Sequence, residues 1–367
     1  MPFSFDTLRR RPDLEGPDLV AVDAADRLIL DESATAREGL AEGRLVVIGD
    51  THGALTLGAA DAGARGIRVH QDELLGERAL VANAAEAGLD GAFSSHALDA
   101  SLLAGARLVL LRLPRSLRAL ADIAGLIALH ADPEVVVYAG GRLKHMTVTM
   151  NDVLRAHFDR VDVTHARQKS RVLVARGPHD GREPEPEAAE VDGIRVRAFG
   201  GAFAGASIDI GTRLLLAHLP EPRGDEAIDL ACGTGVVAAA LAVRHPSLRV
   251  LACDQSAIAV ASARATAEAN GVADRVTVSR DDVLRSRPDA TASFIALNPP
   301  FHAGATVSDG LAPRMFADAA RVLRPGGELW TVWNSALQYR PTLERRVGPT
   351  RQVARDRKFT VTVSTKR

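Results

Sequence analysis

The chain has 367 residues, a formal net charge of −1, 46% hydrophobic residues and 25% charged residues. At about 100–200 residues per domain, that length fits two domains, each able to bury an ordinary core without staples or a structural metal. Two cysteines cannot build a disulfide framework, no stretch approaches about 18 uncharged apolar residues, and residues 1–20 lack an apolar signal core. A disulfide scaffold, a membrane span and a secretory signal are therefore not expected, and a reducing, cytoplasmic location is.

In chain order, GRLVVIGDTHG (43–53) predicts a strand running into a glycine turn, and GIRVH (66–70) a second strand. Residues 72–88 predict a helix closed by Gly88. ARLVLLRLPRS (106–116) and EVVVYAG (134–140) predict two further strands. RGPHDGREPEPEAAEVDG (176–193), with its prolines, glycines and acids and no apolar periodicity, predicts a linker or exposed loop. The grammar then repeats: strand 226–230 into the turn ACGTG, helix 236–245, strand 247–254, helix 256–270 and strand 275–282. Strand 292–301, helix 311–323, a PGG turn at 325–327, strand 328–334 and a last strand at 357–365 complete the second half.

Strands alternating with helices predict open, mostly parallel sheets covered on both faces. Setting Gly53 on Gly235 brings Pro114 close to Pro300, an internal repeat of roughly 180 residues. The fold class is therefore α/β, two tandem doubly wound, Rossmann-like domains, spanning 1–180 and 194–367 and joined by 181–193. The near-zero net charge hides three basic segments: 331–367 at +7, 142–176 at +5 and 101–120 at +4. Basic segments in a neutral protein are the expected footprint of a polyanion-binding face, although an Arg-rich composition also scatters charge over ordinary solvated surfaces.

IDLACGTG places Asp229 four residues before Gly233, with Gly235 next but one. A strand feeding a helix through G-x-G lets backbone N–H groups approach a ligand closely. Gly233–Ala238 also satisfies G-x-G-x-x-A, so a nicotinamide dinucleotide competes with S-adenosylmethionine here. Asp254, ending the next strand, can accept from both hydroxyls of a ribose in either cofactor. Asp229 favours S-adenosylmethionine, because a carboxylate repels a pyrophosphate and attracts an ammonium. Asp281-Asp282 add carboxylates where an adenine amino group would lie.

Asn298-Pro299-Pro300-Phe301 follows the fourth strand, 63 residues past Gly235, at the edge where such sheets bind ligands. Two prolines remove two N–H donors, so the Pro299 carbonyl has little local turn to enter. With the Asn298 side chain it offers two acceptors converging on one point, suited to an –NH₂ group, and Phe301 offers an apolar face to a planar base. An exocyclic amine has a delocalised lone pair; accepting its two protons favours pyramidalisation and points that lone pair at a methyl donor. No metal and no covalent nucleophile is required.

On DLACGTG (229–235) and NPPFH (298–302) the sequence resembles the class I S-adenosylmethionine-dependent methyltransferases of the small-domain type. Within them it resembles the ribosomal RNA guanine-N2 methyltransferases, which carry two tandem methyltransferase-like domains. GGAFAGASIDIGTRLLLAHL (200–219) resembles the segment that precedes the catalytic domain and folds over the methionine end. AADRLIL (24–30), LRLPRSL (111–117) and RKFTVTV (357–363) resemble the member acting on 23S RNA more than the one acting on the small subunit. The resemblance implies that Asp229, Gly233 and Gly235 hold the methionine part, Asp254 the ribose and Asp282 the adenine. It further implies that Asn298 and Pro299 grip the target amine beside the cofactor while Phe301 stacks on guanine. Ala231 replaces the middle glycine of the cofactor motif.

In the first domain Val47 stands in the place of Asp229, Thr51 in that of Gly233, and Arg112-Leu113-Pro114-Arg115 in that of the catalytic tetrad. A degenerate domain that keeps the scaffold is expected, with Arg112 and Arg115 contacting RNA phosphates. Gly49-Asp50-Thr51-His52-Gly53 looks like the opening metal motif of metallophosphoesterases, but the further ligands of a two-metal site are missing, and no metal is expected. Cys232 lacks a neighbouring His and is expected to be a packed residue. Trp330 and Trp333 are expected in the core.

The expected activity is therefore methyl transfer from S-adenosylmethionine to guanine N2 in ribosomal RNA, on a base flipped from its stack, by a monomer whose partner is the RNA or the ribosomal subunit. Transfer to adenine N6 or a glutamine amide, a nicotinamide-dependent oxidoreductase on the same fold, and a non-catalytic RNA-binding assembly factor are the alternatives.

Overall fold

The structure, a computed structural model, describes residues 3–300 and 304–367, without the side chains of 304–309. The chain divides into two compact units, Met1–Glu185 and Pro186–Arg367.

The first unit contains helices α1 (Ala24–Glu32), α2 (Ala34–Arg37), α3 (Ala54–Asp61), α4 (Leu74–Ala87), α5 (Ala100–Leu103), α6 (Leu117–His130) and α7 (Thr149–Arg155). Its strands are β1 (Leu45–Ile48), β2 (Ile67–His70), β3 (Phe93–Ser95), β4 (Leu108–Arg112), β5 (Val136–Arg142), β6 (Phe158–Val163) and β7 (Ser170–Pro178). They form one sheet in the order β3-β2-β1-β4-β5-β7-β6, parallel except for the last two pairings. Its strands bury both faces, as parallel sheets do. One face packs Leu45, Val47 and Leu110 under α1 and α3, and the other packs Val46, Ile48 and Leu111 under α6.

The second unit contains β8 (Glu187–Val191), β9 (Ile194–Ala198), α8 (Ile210–Leu216), β10 (Glu226–Leu230), α9 (Val236–Arg244), β11 (Arg249–Asp254), α10 (Ala257–Ala269) and β12 (Val276–Arg280). It continues through β13 (Ala292–Leu297), α11 (Gly304–Val322), β14 (Leu323–Asn334), α12 (Arg340–Arg346), β15 (Thr350–Arg355) and β16 (Phe359–Thr365). The sheet order β12-β11-β10-β13-β14-β16-β15 repeats the topology of the first. Both sheets reverse strand order beside their first strand, which places a binding crevice at the carboxyl ends of β10 and β13. Trp330 and Trp333 are both buried, on opposite faces of β14.

Two predicted loops are ordered differently. Segment 176–193 contains the division between the two units, but it is not all loop: Arg182 N–H donates to Gly125 O on α6, and Glu187–Val191 is strand β8. Asp192-Gly193 both adopt positive φ, 52° and 76°, closing a two-residue hairpin onto β9. Asp-Gly is the strongest short hairpin signal, and the surrounding prolines and acids mask it. The PGG segment lies inside β14, where the register against β13 shifts between Ala292 and Phe294. Strand β15, polar along most of its length, lacks the apolar run that would have marked it.

Candidate active site at the carboxyl edge of the second sheet

Asp229 sits one residue before the end of β10, paired in register with Ala252 of β11 and Ala296 of β13. It is only 3% exposed, and its Oδ2 accepts the Ala238 N–H at 3.0 Å. Burial pushes its carboxyl up to about 7; the Ala238 N–H works downward and the charge of Asp254 upward. A carboxylate so placed gains most from a ligand cation.

The glycine turn follows. Ala231 and Gly233 take φ of 57° and 53°, and Gly235, at 72°, is the N-cap of α9. A Cβ on Gly235 would meet Ala263 Cβ at 2.7 Å and Cα at 2.9 Å, so only glycine lets α10 pack there. A Cβ on Gly233 would meet nothing within 4 Å, so space stays open above the turn. Asp254 anchors that turn: Oδ2 accepts the Gly233 N–H and Oδ1 the Ser256 N–H, both at 3.0 Å.

Asp282 lies beyond β12 with its carboxylate committed to Arg314 Nη2, which donates at 2.5 and 2.6 Å. The Asp282 carboxylate is therefore ion-paired rather than bare. Asp281 accepts from Ser286 and from the Asp282 N–H, and so builds the turn. Cys232 is buried and its thiol pushed up by that burial, which makes it a packing residue.

Asn298 follows β13 directly. Its Nδ2 donates to Asp209 Oδ2 at 3.2 Å and to Thr212 Oγ1 at 2.8 Å. Its Oδ1 is buried and has no hydrogen-bond partner among the described residues. Pro299 is buried, whereas Phe301 and His302 lie outside the described residues. Asp209, Thr212 and Arg314 escaped sequence reasoning, being 89, 86 and 32 residues from the groups they touch. So did Gln255, whose buried Oε1 also lacks a partner among the described residues, beside Asp254.

The residues present fit S-adenosylmethionine: a buried carboxylate for an ammonium, a strand-end acid for a ribose, open space over a glycine turn, and an amide oxygen awaiting a donor. Among the described residues no cluster of His, Cys, Asp or Glu is arranged to hold a metal, and no helix is long and apolar enough to cross a membrane.

In the first unit the equivalent edge of its own sheet is closed from within. Asp50 accepts the N–H groups of Gly53, Leu55 and Thr56 at 3.1, 3.2 and 2.8 Å, so its own carboxylate fills the start of α3. Its motif neighbour His52 lies 3.3 Å from Asp13 Oδ2. Arg112 is not a surface cation. Its guanidinium donates to Asp23 Oδ1 and Oδ2 at 3.0 and 3.2 Å and lies 3.3 Å from Asp26. Its charge is thus paired within the unit, which leaves less of it for a phosphate. Arg115 is exposed.

Sheet order and site together define a class I S-adenosylmethionine-dependent methyltransferase. Residues 193–363 match the "Methyltransferase small domain" family and residues 1–179 the "RLMG N-terminal domain" family. The chain is 35% identical to the ribosomal RNA large subunit methyltransferase G of Streptomyces avermitilis, over 98% of this chain and 97% of that one. It is 33% identical to the protein of the same name from Pseudomonas aeruginosa, again over 98% and 97%. The fold is similar to that of the T. thermophilus 16S rRNA N2 G1207 methyltransferase solved with AdoMet and guanosine, with a TM-score of 0.74, 21% identity, and 94% and 92% of the two chains covered. The chain belongs to the ribosomal RNA large subunit methyltransferase G family.

Proposed function

We propose that this protein transfers a methyl group from S-adenosylmethionine to the exocyclic N2 amine of a guanine in 23S ribosomal RNA, as a monomer in the cytoplasm. The observation that carries this reading is the buried Asn298 Oδ1, left without a partner among the described residues while its amide nitrogen is fully engaged. When bound, S-adenosylmethionine supplies an electrophilic methyl group on a sulfonium. Asp229 binds the ammonium of the methionine part, helped by Gly233 and Gly235, which keep the turn open. Asp254 accepts from the ribose hydroxyls. Asp282, shared with Arg314, borders the adenine.

Asn298 Oδ1 accepts one proton of the target amine, and the Pro299 carbonyl accepts the other. Positive charge grows on that nitrogen as it attacks, so both acceptors bind the transition state more tightly than the ground state. Phe301 stacks on the extruded guanine.

The first unit acts as scaffold and RNA platform through Arg115, Arg142 and Lys144 rather than Arg112. His145 stands among these cations: slight burial first, then the repulsion of Arg115, Lys144, Arg112 and Arg142, holds its pKa below the ordinary value.

The test is nucleoside mass spectrometry of 23S and 16S RNA from cells with and without the gene, together with methylation in vitro of naked 23S RNA and of assembled subunits. Loss of one N2-methylguanosine from 23S RNA is expected. Unchanged ribosomal RNA, or loss of N6-methyladenosine instead, overturns the reading.

A further inference from the structure

An asparagine amide can sit in a site either way round, and only one way presents its oxygen. We propose that Asp209 and Thr212 are the positioning residues that hold the Asn298 amide oxygen-forward. The inference rests on the proposed function, in that Asn298 Oδ1 is taken as the amine acceptor. Asp209 is the N-cap of α8, and its Oδ1 accepts the N–H groups of Gly211 and Thr212 at 2.9 and 3.2 Å. Its Oδ2 accepts the Thr212 hydroxyl proton and one proton of Asn298 Nδ2. With its own proton spent on Asp209, Thr212 Oγ1 can only accept from Asn298, and it takes the second Nδ2 proton at 2.8 Å.

Both amide protons are thus claimed by acceptors that cannot reverse role. Flipping the amide would set Oδ1 against a carboxylate oxygen and a hydroxyl oxygen with no proton to give, and would turn two N–H donors toward the target amine. The chain from the α8 N–H groups through Asp209 and Thr212 to Asn298 therefore ends in one remaining acceptor, the buried Oδ1, which is the atom left without a partner among the described residues.

Four variants test this with purified full-length protein and RNA substrate. They are read by kcat, KM for RNA, S-adenosylmethionine affinity by calorimetry, and melting temperature. Thr212→Val keeps the shape and removes one acceptor, so kcat should fall about tenfold, the worth of one hydrogen bond made to a polarised group. KM for RNA and cofactor affinity should stay within about twofold, which separates positioning from binding. Thr212→Ser restores the hydroxyl and should restore kcat.

Asn298→Asp puts two carboxylates face to face and should lose more than Thr212→Val does. Adding Asp209→Asn to it supplies an N–H₂ donor that grips one oxygen of the introduced carboxylate and leaves the other free, while asparagine still caps α8. The double variant should regain at least tenfold over Asn298→Asp alone.

Full activity in Thr212→Val, failure of Thr212→Ser to restore a lost kcat, or loss of cofactor affinity at unchanged kcat overturns the inference. If Thr212→Val fails to fold, the Asp209–Asn298 pair decides: no recovery in the double variant overturns it. Retention of turnover by Asn298→Ala would instead overturn the reading of the site itself, so the two failures are distinguishable.

Discussion

Arg112 stands in the first sheet where Asn298 stands in the second. Leu111 pairs with Ile48 of β1 and Leu297 with Leu230 of β10, and the next residue along the chain in each case stands at the carboxyl edge. Each side chain is then held by the N-cap and N3 residues of a helix: Asp23 and Asp26 of α1 for Arg112, Asp209 and Thr212 of α8 for Asn298. In the first unit that grip consumes a cation and leaves nothing for a ligand. In the second it consumes only the amide nitrogen and leaves an oxygen. One scaffold relationship thus separates the closed edge from the open one.

Asn298→Ala removes one acceptor from the transition state without touching Asp229 or Asp254. Turnover should fall by about 10²–10³, the usual worth of one preorganised dipole at a developing charge. Cofactor affinity by calorimetry should stay within about twofold.

Asp229 sets a pH dependence. Its folded pKa, near 7, lies above the unfolded value, so the native state holds a proton that the unfolded state has lost. In the ligand-free protein its contribution to stability is therefore fully present below about pH 4 and is lost as pH rises through 7. The cofactor ammonium needs the ionised form, so affinity should climb across the same upper range. Asp229→Asn should flatten that rise, weaken S-adenosylmethionine binding by about 10–100-fold, and raise the melting temperature of the free protein at pH 8. Calorimetric titrations at pH 6, 7 and 8, with thermal scans, read all three effects.

Arg112 and Arg115 should part company when replaced. Burial already pushes Asp26 up to about 7, and Arg112→Ala would leave Asp23 and Asp26 without their cation. A loss of about 3–5 kcal/mol in the first unit is expected in denaturant titrations. Arg115→Ala, at an exposed position, should leave stability unchanged and lower the slope of RNA affinity against salt by about one. An unchanged slope removes Arg115 from the RNA contact.

Ala231 holds a left-handed backbone, φ 57°, in the turn where the family motif carries glycine. Relieving it with Ala231→Gly should stabilise the protein by about 1 kcal/mol, read as a higher denaturation midpoint at unchanged slope, with turnover retained.

The amino-acid sequence by itself determined the alternation of strands and helices, the internal repeat, the glycine turn and the Asn-Pro-Pro-Phe tetrad. Each is a local pattern of apolar spacing, chain stiffness and backbone freedom, legible over a dozen residues. Asp229, Gly235 and Asp254 were legible as well, because a strand end and its turn fix where such side chains go. Only the tertiary structure decided which charges meet. It gave Arg112 to Asp23, 89 residues away, when the sequence offered it to RNA, and it gave Asp282 to Arg314. It also brought Asp209 and Thr212 from α8 to the Asn298 amide. A side chain's partner depends on the packing of whole layers, and whether a polar atom stays free for a ligand or is used up in folding is settled only when those layers close.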